Sequence, residues 1–308
     1  MSAGLLVLSS GDPLVDRRIE WARALMDEGN PGDAAELLSE AVRRAPGYAS
    51  GWFLLGEARE AGGDGAGAKR AFEEALSLDE EDRLGAALRL ARLDGAVASM
   101  SEAYVRTLFD QYAERFDAAL ARLDYRGPEL IDHALAAACA ALGRPYAFAR
   151  GLDLGCGTGL VAARLNDHVG AMEGVDLSPN MIARARKRRV YDALAAGEMV
   201  AYLAERPARD VDLVFAGDAF CYLDDLGPVL AEARRVLEPG GLVAFTDETH
   251  EGEGVLLRET LRFAHAPAYM RERVEGAGLT LVSCAQEWIR RENGALVPGL
   301  VAVALREG

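Results

Sequence analysis

The chain of 308 residues has a net charge of −15, which disfavours a nucleic-acid ligand because a phosphate backbone requires a basic surface. Half of its residues are apolar, enough for buried cores, yet no apolar run reaches the ~18 residues of a membrane span, and residues 3–8 lack the basic flank of a signal peptide. The four cysteines form no metal-binding or disulfide pattern, which predicts a cytoplasmic protein without a metal site.

The first hundred residues repeat at an offset of 34, so that Leu38 aligns with Phe72 and Ala41 with Ala75. This period and the alternation of small and large residues resemble the tetratricopeptide repeat. Two copies and a further helix at about 83–93 fall short of the ~3 repeats that an independent solenoid needs. We therefore expect domain 1–98 to depend on a catalytic domain or a partner chain. The resemblance implies either a surface for a protein partner or self-association, or a structural cap.

Residues 99–148 are expected to form helices that precede the core. Phe109, Tyr112 and Phe116 recur at positions i, i+3 and i+7, so they share one face of a predicted helix. The stretch 104–117 resembles the pre-core helix of small-molecule methyltransferases, in which it covers the methionine end of S-adenosylmethionine (SAM). An aromatic face suits a sulfonium cation. The alternative is a plain amphipathic helix that packs on a sheet.

The core is expected at 149–308, and its first strand ends in a loop with glycine at every second position. Glycine permits a sharp turn and lets a ligand approach the backbone amides. Leu160 stands where a dinucleotide-binding loop needs its third glycine, which disfavours an NAD-dependent enzyme. The loop resembles motif I of class I SAM-dependent methyltransferases. That resemblance implies cofactor contacts from Asp153, Gly155, Cys156, Gly157, Thr158 and Gly159.

A second strand ends at Asp176, which in doubly wound sheets is the position of an acid that binds the ribose of a nucleoside. The following Leu177, Ser178 and Met181 resemble the "DLSxxM" segment of the same family. Further along, three residues resemble its third signature, which faces the adenine ring; they are Gly197, Glu198 and Met199. Gly217 ends a fourth strand, and residues 237–241 resemble the family's "LxPGG" turn into strand five. These residues are predicted to complete the cofactor site.

Taken together, these motifs resemble the tetratricopeptide-containing class I SAM methyltransferases. The resemblance implies an α/β, Rossmann-like fold whose seven-stranded sheet is mostly parallel with the last strand antiparallel, preceded by a small all-α repeat domain. Residues 282–305 are expected to form the closing hairpin, with the Asn293-Gly294 pair at its turn. The ligand is expected at the carboxyl ends of strands one and four.

Four residues near this edge have side chains that exchange protons. Asp218 follows strand four directly and could orient a hydroxyl or an amine, or only cap a turn. His265 and Tyr269 lie four residues apart, hence on one face if helical, and His250 follows strand five. A histidine has a suitable unperturbed pKa for proton transfer, although a lone histidine is more often structural. These four are the candidate catalytic residues.

The resemblance implies an enzyme that transfers a methyl group from SAM to an oxygen or nitrogen atom of a small-molecule or peptide-like substrate, with S-adenosylhomocysteine as product. The alternative hypothesis is a tetratricopeptide adaptor whose methyltransferase-like domain senses SAM or is catalytically silent. The intact glycines and Asp176 favour the enzyme, because a decayed site is expected to lose glycines to bulkier residues. The sequence indicates no ligand beyond these: no nucleic acid, membrane or metal.

Overall fold

The computed structural model describes residues 9–292 and 294–308 and divides the chain into two compact units, the first ending at Thr107 and the second running Leu108–Gly308. The apolar segment 3–8 and Asn293 of the predicted turn lie outside the described residues. The domain division 1–98, 99–148 and 149–308 stays a prediction.

The first unit consists of antiparallel helix pairs. Its helices are α1 (Pro13–Asp27), α2 (Pro31–Arg44), α3 (Ala49–Ala61), α4 (Gly65–Leu78) and α5 (Ala86–Leu93), followed by α6 (Glu102–Tyr112), which continues into the second unit. The aligned Leu38, Ala41, Phe72 and Ala75 are all buried. The small residues let helices approach closely, since a Cβ on Gly56 would lie 2.5 Å from the Phe72 ring. The helix pairs and buried small residues that the repeat pattern predicted are therefore present.

Helix α5 begins three residues later than the sequence pattern indicated. Asp82 adopts a left-handed conformation with φ of 51°, and Gly85 has φ of 77°. The Asp82 carboxylate accepts hydrogen bonds from the amides of Ala86 and Ala87. Because this side chain satisfies free amides at the helix start, the helix begins at Ala86 rather than at residue 83.

The second unit is a sheet with helices on both faces. Its helices are α7 (Phe116–Arg122), α8 (Gly127–Ala141), α9 (Leu160–Leu165), α10 (Pro179–Arg188), α11 (Met199–Ala204), α12 (Gly227–Val236) and α13 (Pro267–Gly276). Its strands are β1 (Phe148–Leu154), β2 (Val169–Asp176), β3 (Ala193–Ala196), β4 (Val211–Gly217), β5 (Leu237–Glu248), β6 (Val255–Leu257), β7 (Phe263–His265), β8 (Thr280–Glu292) and β9 (Ala295–Leu305). Short 3₁₀ helices cover Asn166–His168 and Phe220–Tyr222.

The seven-stranded sheet has the order β3-β2-β1-β4-β5-β9-β8, and β9 runs antiparallel to both of its neighbours. Strands β6 and β7 form a separate two-stranded sheet that the sequence did not predict. The central strands are buried on both faces, which explains their continuous apolar runs. The predicted fold class is therefore confirmed. The sheet order reverses direction between β1 and β4, so the loops that follow these two strands meet at one edge.

One prediction about helices is wrong, and the condition placed on another pair of residues is not met. The aromatic stretch 104–117 is not one helix, because α6 ends at Tyr112 and α7 begins at Phe116. Arg184 binds both the carbonyl and the carboxylate of Glu114 in the intervening turn, so tertiary contacts hold the backbone there in place of helix continuation. His265 lies at the end of β7, whereas Tyr269 lies in α13; Pro267 at the helix start separates them.

Candidate active site

The loop that follows β1 requires glycine for conformational and steric reasons. Gly155, Gly157 and Gly159 have φ of 63°, 53° and 87°, a region that side-chain-bearing residues rarely adopt. A Cβ on Gly155 would also lie 2.6 Å from the Cβ of Ala219 in the loop that follows β4. The glycines therefore bring the loops after β1 and β4 into direct contact, at the edge where a ligand is expected.

Asp176 organises this loop from the end of β2. The backbone amides of Gly157 and Ser178 each donate a 2.8 Å hydrogen bond to a different oxygen of its carboxylate. The side chain is buried, and burial raises its pKa to about 6. Each oxygen keeps a lone pair beyond its bond to an amide, so the carboxylate can still accept from ligand hydroxyls.

Residues adjoining Asp176 fix its backbone. The Ser178 hydroxyl accepts a 3.0 Å bond from the Met181 amide and so caps α10. Met181 is fully buried, and Leu177 is half-buried between the two polar residues. The sequence pattern "DLSxxM" thus corresponds to a strand end, a helix cap and a core contact, and only Asp176 among these presents a carboxylate at the loop edge.

Asp153 lies inside the sheet beneath the loop. It accepts a 2.7 Å hydrogen bond from the Tyr191 hydroxyl, and burial raises its pKa to about 8. A Cβ on Gly159 would lie 2.9 Å from the Tyr191 ring, so this tyrosine supports the loop from below. Cys156 is buried as well, and burial raises the pKa of its thiol. Its thiol is therefore protonated at neutral pH. Tyr191 was not predicted, because it lies between α10 and β3 with no motif of its own.

The segment after β3 contributes two further loop neighbours. Gly197 donates its amide to the carbonyl of Asp176, and the Met199 methyl lies 3.7 Å from a Cβ position on Gly155. The Glu198 carboxylate accepts from the amides of Val200 and Ala201 at 2.9 and 2.7 Å. Glu198 is thus the N-cap of α11, and its predicted contact with adenine stays a prediction.

Aromatic side chains from α6 and α7 lie over the glycine loop. The Phe116 ring is 3.6 Å from a Cβ position on Gly157. Phe109 contacts Phe116 and Tyr222 edge to face, with ring centroids 6.0 and 5.1 Å apart. Tyr112 instead stacks near the guanidinium of Arg115, at 5.5 Å. Two of the three predicted aromatic residues therefore converge near the loop, although they belong to different helices.

Two carboxylates tie this aromatic segment to the loops. Asp110 accepts from the Ser178 hydroxyl at 2.5 Å and from the Asn180 amide at 3.2 Å. Asp117 accepts from the Thr158 hydroxyl at 2.5 Å and from Arg188, also at 2.5 Å. Arg188 is the last residue of α10, so this helix helps to hold the aromatic segment in place.

Asp218 stands at the carboxyl end of β4 in a strained conformation. Its φ is 58°, in the left-handed region. Its amide donates to the Thr246 hydroxyl at 2.9 Å, and its Oδ2 lies 2.5 Å from Arg290. Burial raises its pKa although Arg290 opposes the shift. The Tyr125 hydroxyl lies 3.2 Å from a Cβ position on the preceding Gly217, so it belongs to the same region.

Arg290 connects Asp218 to a buried network of charges that the sequence did not predict. It contacts Glu248 and lies 3.5 Å from Glu292. Arg262 bridges the same two glutamates at 2.5 Å each. Although burial raises it, the guanidinium groups of Arg290 and Arg262 lower the pKa of Glu248 below its usual value. The network joins β4, β5, β8 and the segment before β7, which are distant in sequence, so no local pattern reveals it.

The remaining candidate residues bind within their own surroundings. His265 is fully buried, its Nδ1 lies 2.7 Å from Asp247, and its ring stacks on Tyr269 at 5.3 Å. The Tyr269 hydroxyl donates to Asp225 at 3.1 Å and accepts from the Leu226 amide at 3.2 Å. His250 accepts from the Gly252 amide through Nδ1 at 3.1 Å. Each of these side chains thus supports a loop or a core contact.

Two further observations cover the described residues. Across 9–292 and 294–308, no group of three or more His, Cys, Asp or Glu side chains is arranged to hold a metal ion. None of the helices in the same ranges is long and apolar enough to span a membrane.

Comparison with known proteins identifies both units. A methyltransferase-domain model matches residues 152–245, and a tetratricopeptide-repeat model matches residues 25–93. Methyltransferase-like protein 27 of Homo sapiens is 33% identical over 175 residues, which cover 56% of the chain and 66% of that protein. Malonyl-acyl-carrier protein O-methyltransferase of Enterobacter lignolyticus is 34% identical over 99 residues, covering 32% of the chain and 39% of that protein.

The matched part of the chain therefore spans less than two thirds of the length of these relatives. Among solved structures, phosphoethanolamine N-methyltransferase 2 of Haemonchus contortus, in complex with phosphomonomethylethanolamine and S-adenosylhomocysteine, is 18% identical. It aligns with a TM-score of 0.44 over 57% of the chain and 53% of its own length.

Proposed function

We propose that this chain, a tetratricopeptide-repeat protein with a class I methyltransferase domain, transfers the methyl group of SAM to an oxygen or nitrogen atom of a small-molecule or peptide-like substrate. The observation that carries the proposal is the pairing of the Asp176 carboxylate with the amides of Gly157 and Ser178. This pairing holds Asp176, the acid proposed to bind the ribose, beside a loop of three left-handed glycines.

The residues at this edge fit SAM. Asp176 offers two carboxylate oxygens for ribose hydroxyls, and the glycine loop leaves its backbone open to a ligand. Met199 lies beside the loop, and Phe109 and Phe116 supply an aromatic face suited to a sulfonium. SAM, when bound, supplies an electrophilic methyl group. The chain's own residues bind and orient it, and Asp110 and Asp117 hold the aromatic segment over the loop.

Positioning is the main contribution expected of the protein. Aligning the nucleophile with the methyl carbon can supply roughly 7–11 kcal/mol of the barrier. Among the four candidate catalytic residues, the geometry favours Asp218. It lies one residue from Ala219, which adjoins the glycine loop, and burial raises its pKa above the usual value of an aspartate. His265 is instead enclosed with Asp247, and His250 and Tyr269 bind loop amides.

Calorimetric titration of the purified protein with SAM, S-adenosylhomocysteine and NAD tests the cofactor. We expect binding of the first two compounds and none of NAD. A panel of small amines, alcohols and carboxylic acids, with S-adenosylhomocysteine formation as the readout, then tests turnover. Absence of SAM and S-adenosylhomocysteine binding would refute the proposal. SAM binding without turnover on any acceptor would favour the adaptor hypothesis, in which the domain senses SAM.

The repeat unit is proposed to bind a protein partner or a second copy of the chain. A groove of about 430 Å³ lies between α2 and the α3–α4 pair, and both acidic and basic side chains line it, among them Glu36, Glu40, Arg43 and Arg59. Analytical ultracentrifugation of the full chain tests self-association.

A cytoplasmic location is also proposed, because the four cysteines are all free.

A further inference from the structure

One oxygen of Asp218 is buried without a hydrogen-bond partner. Among the described residues, Oδ1 finds no donor, whereas Oδ2 is bound to Arg290. Leaving a buried acceptor unpaired costs about 1–3 kcal/mol, and the left-handed backbone of Asp218 adds strain of similar order. Both the unpaired oxygen and the strained backbone therefore destabilise the fold at the end of β4. A ligand that donates a hydrogen bond to Oδ1 would remove the first of them.

The neighbouring Arg290, in contrast, has all of its guanidinium nitrogens paired with acidic side chains. Each of the three guanidinium nitrogens of Arg290 faces a carboxylate, namely Asp218, Glu248 and Glu292. Arg290 is 3% exposed in its side chain. A substrate carboxylate would have to displace one of these acids to bind Arg290, and the displaced acid would become an unpaired buried charge. All three nitrogens of Arg290 are thus paired, and the atom left free to accept a hydrogen bond is Asp218 Oδ1.

This acceptor lies close to the expected position of the cofactor. Ala219, the next residue, would contact a Cβ on Gly155 at 2.6 Å, so the backbone of Asp218 adjoins the glycine loop. The Asp218 side chain as a whole is 16% exposed, whereas its Oδ1 atom is buried. The Phe109 and Tyr222 rings, in contact with each other, link the aromatic segment to the same loop after β4.

Resting on the proposed function, we infer that the methyl acceptor is a protic nucleophile, a hydroxyl or an amine, which donates a hydrogen bond to Asp218 Oδ1, and that it is not a free carboxylate. Asp218 is thus a specificity-determining residue as well as the proton acceptor. A hydrogen-bond donor is favoured because Oδ1 lacks one, and a carboxylate is disfavoured because Arg290 is already paired with other acids.

The transfer step balances with the residues named. The nucleophile attacks the methyl carbon, the new oxygen–carbon or nitrogen–carbon bond forms, and the carbon–sulfur bond breaks. The bonding electron pair passes to sulfur, which becomes a neutral thioether. The proton of the nucleophile passes to Asp218 Oδ1, so the carboxylate becomes a neutral acid and later returns that proton to solvent.

Sinefungin provides a test that needs no knowledge of the substrate. It resembles S-adenosylhomocysteine but carries an amine on a carbon in place of the sulfur, so its ammonium mimics a donor at the transfer position. Calorimetry should show that wild type binds sinefungin at least about tenfold more tightly than S-adenosylhomocysteine, because a charge-assisted bond to a carboxylate is gained. In Asp218→Asn this preference should fall about tenfold, with S-adenosylhomocysteine affinity unchanged.

Asp167→Asn serves as the matched control, because it makes the same substitution at an exposed position before β2, at the opposite edge of the sheet. It should retain the wild-type preference. Equal affinities for the two compounds in wild type would overturn the inference, even if Asp218→Asn does not fold. A preference that persists in a folded Asp218→Asn would also overturn it. If wild type binds neither compound, the proposed function itself fails, which is a distinct result.

Discussion

Replacing Asp176 with alanine should weaken SAM binding by at least ~1.5 kcal/mol, or roughly tenfold in Kd. The carboxylate is the residue proposed to accept from the ribose hydroxyls, and each charge-assisted bond contributes about 1.5–3 kcal/mol. Its two oxygens also hold the amides of Gly157 and Ser178. Removing the side chain leaves both amides without this acceptor, so the glycine loop should also become more mobile. The total loss of binding free energy should then exceed that of one ribose hydrogen bond.

Isothermal titration at pH 7.5, supported by a denaturant titration, measures both consequences. Asp192→Asn is the control, because that carboxylate accepts the Met172 amide at 2.8 Å, four residues before Asp176 on the same strand. The amides of Gly157 and Ser178 donate to Asp176 instead. The control should bind SAM like the wild type. Wild-type affinity in a folded Asp176→Ala protein would refute the placement of the cofactor.

The pH dependence provides an independent check on Asp176. Burial raises its pKa to about 6, so lowering the pH through 6 protonates the carboxylate and removes the charge that the ribose bonds need. SAM affinity should therefore fall between pH 7.5 and 5. Stability changes in the opposite sense: the contribution of this group is present below the unfolded pKa of about 3.9 and lost as the pH rises through 6. In Asp176→Asn, which is neutral throughout, both pH effects should disappear.

Three other variants test separate features. Asp153→Asn should match wild type in stability near pH 4 and exceed it increasingly up to pH 8, because burial raises the pKa of Asp153 to about 8. The stability that the protonated carboxyl contributes is present below the unfolded pKa of about 3.9 and is lost as the pH rises through 8; urea unfolding measures this. Gly56→Ala should lose about 1–3 kcal/mol of stability against the Phe72 ring, whereas Gly65→Ala, with open space around its Cβ, should lose none. Asp117→Asn should speed S-adenosylhomocysteine release severalfold in stopped-flow measurements, because it weakens the latch on the aromatic segment.

The parts of the fold that were predicted correctly depend on short-range patterns. The glycine loop, the end of β2 and the cap at Ser178 each occupy a few consecutive residues, so their backbone requirements can be read from the sequence. The 34-residue repeat was predictable as well, because the helices that pack together there follow one another directly along the chain. The break between α6 and α7 could not be predicted in this way. No glycine or proline occurs between Tyr112 and Phe116, and the turn is held by Arg184 from a helix about seventy residues later.

The supporting residues of the site were missed for the same reason. Tyr191 binds Asp153 across 38 positions, and Arg290 binds Asp218 across 72. Arg262 lies before β7, and its partner Glu248 ends a strand whose central residues are apolar. A charged residue at the end of an apolar strand is the one local signal that could have indicated a buried network.

The conformation of Asp218 connects the structure to the chemistry most directly. Among the described residues, six other than glycine have positive φ: Asp82, Asp124, Arg189, Arg209, Asp218 and Leu261. Of these, Asp218 alone directly follows a central strand of the sheet and also has a buried side-chain oxygen without a partner. Strain and unmet hydrogen bonding lower stability, so a position that combines them at a ligand-binding edge is more simply explained by a ligand than by packing. Since Arg290 already neutralises Oδ2, the ligand group that fits Oδ1 is a donor.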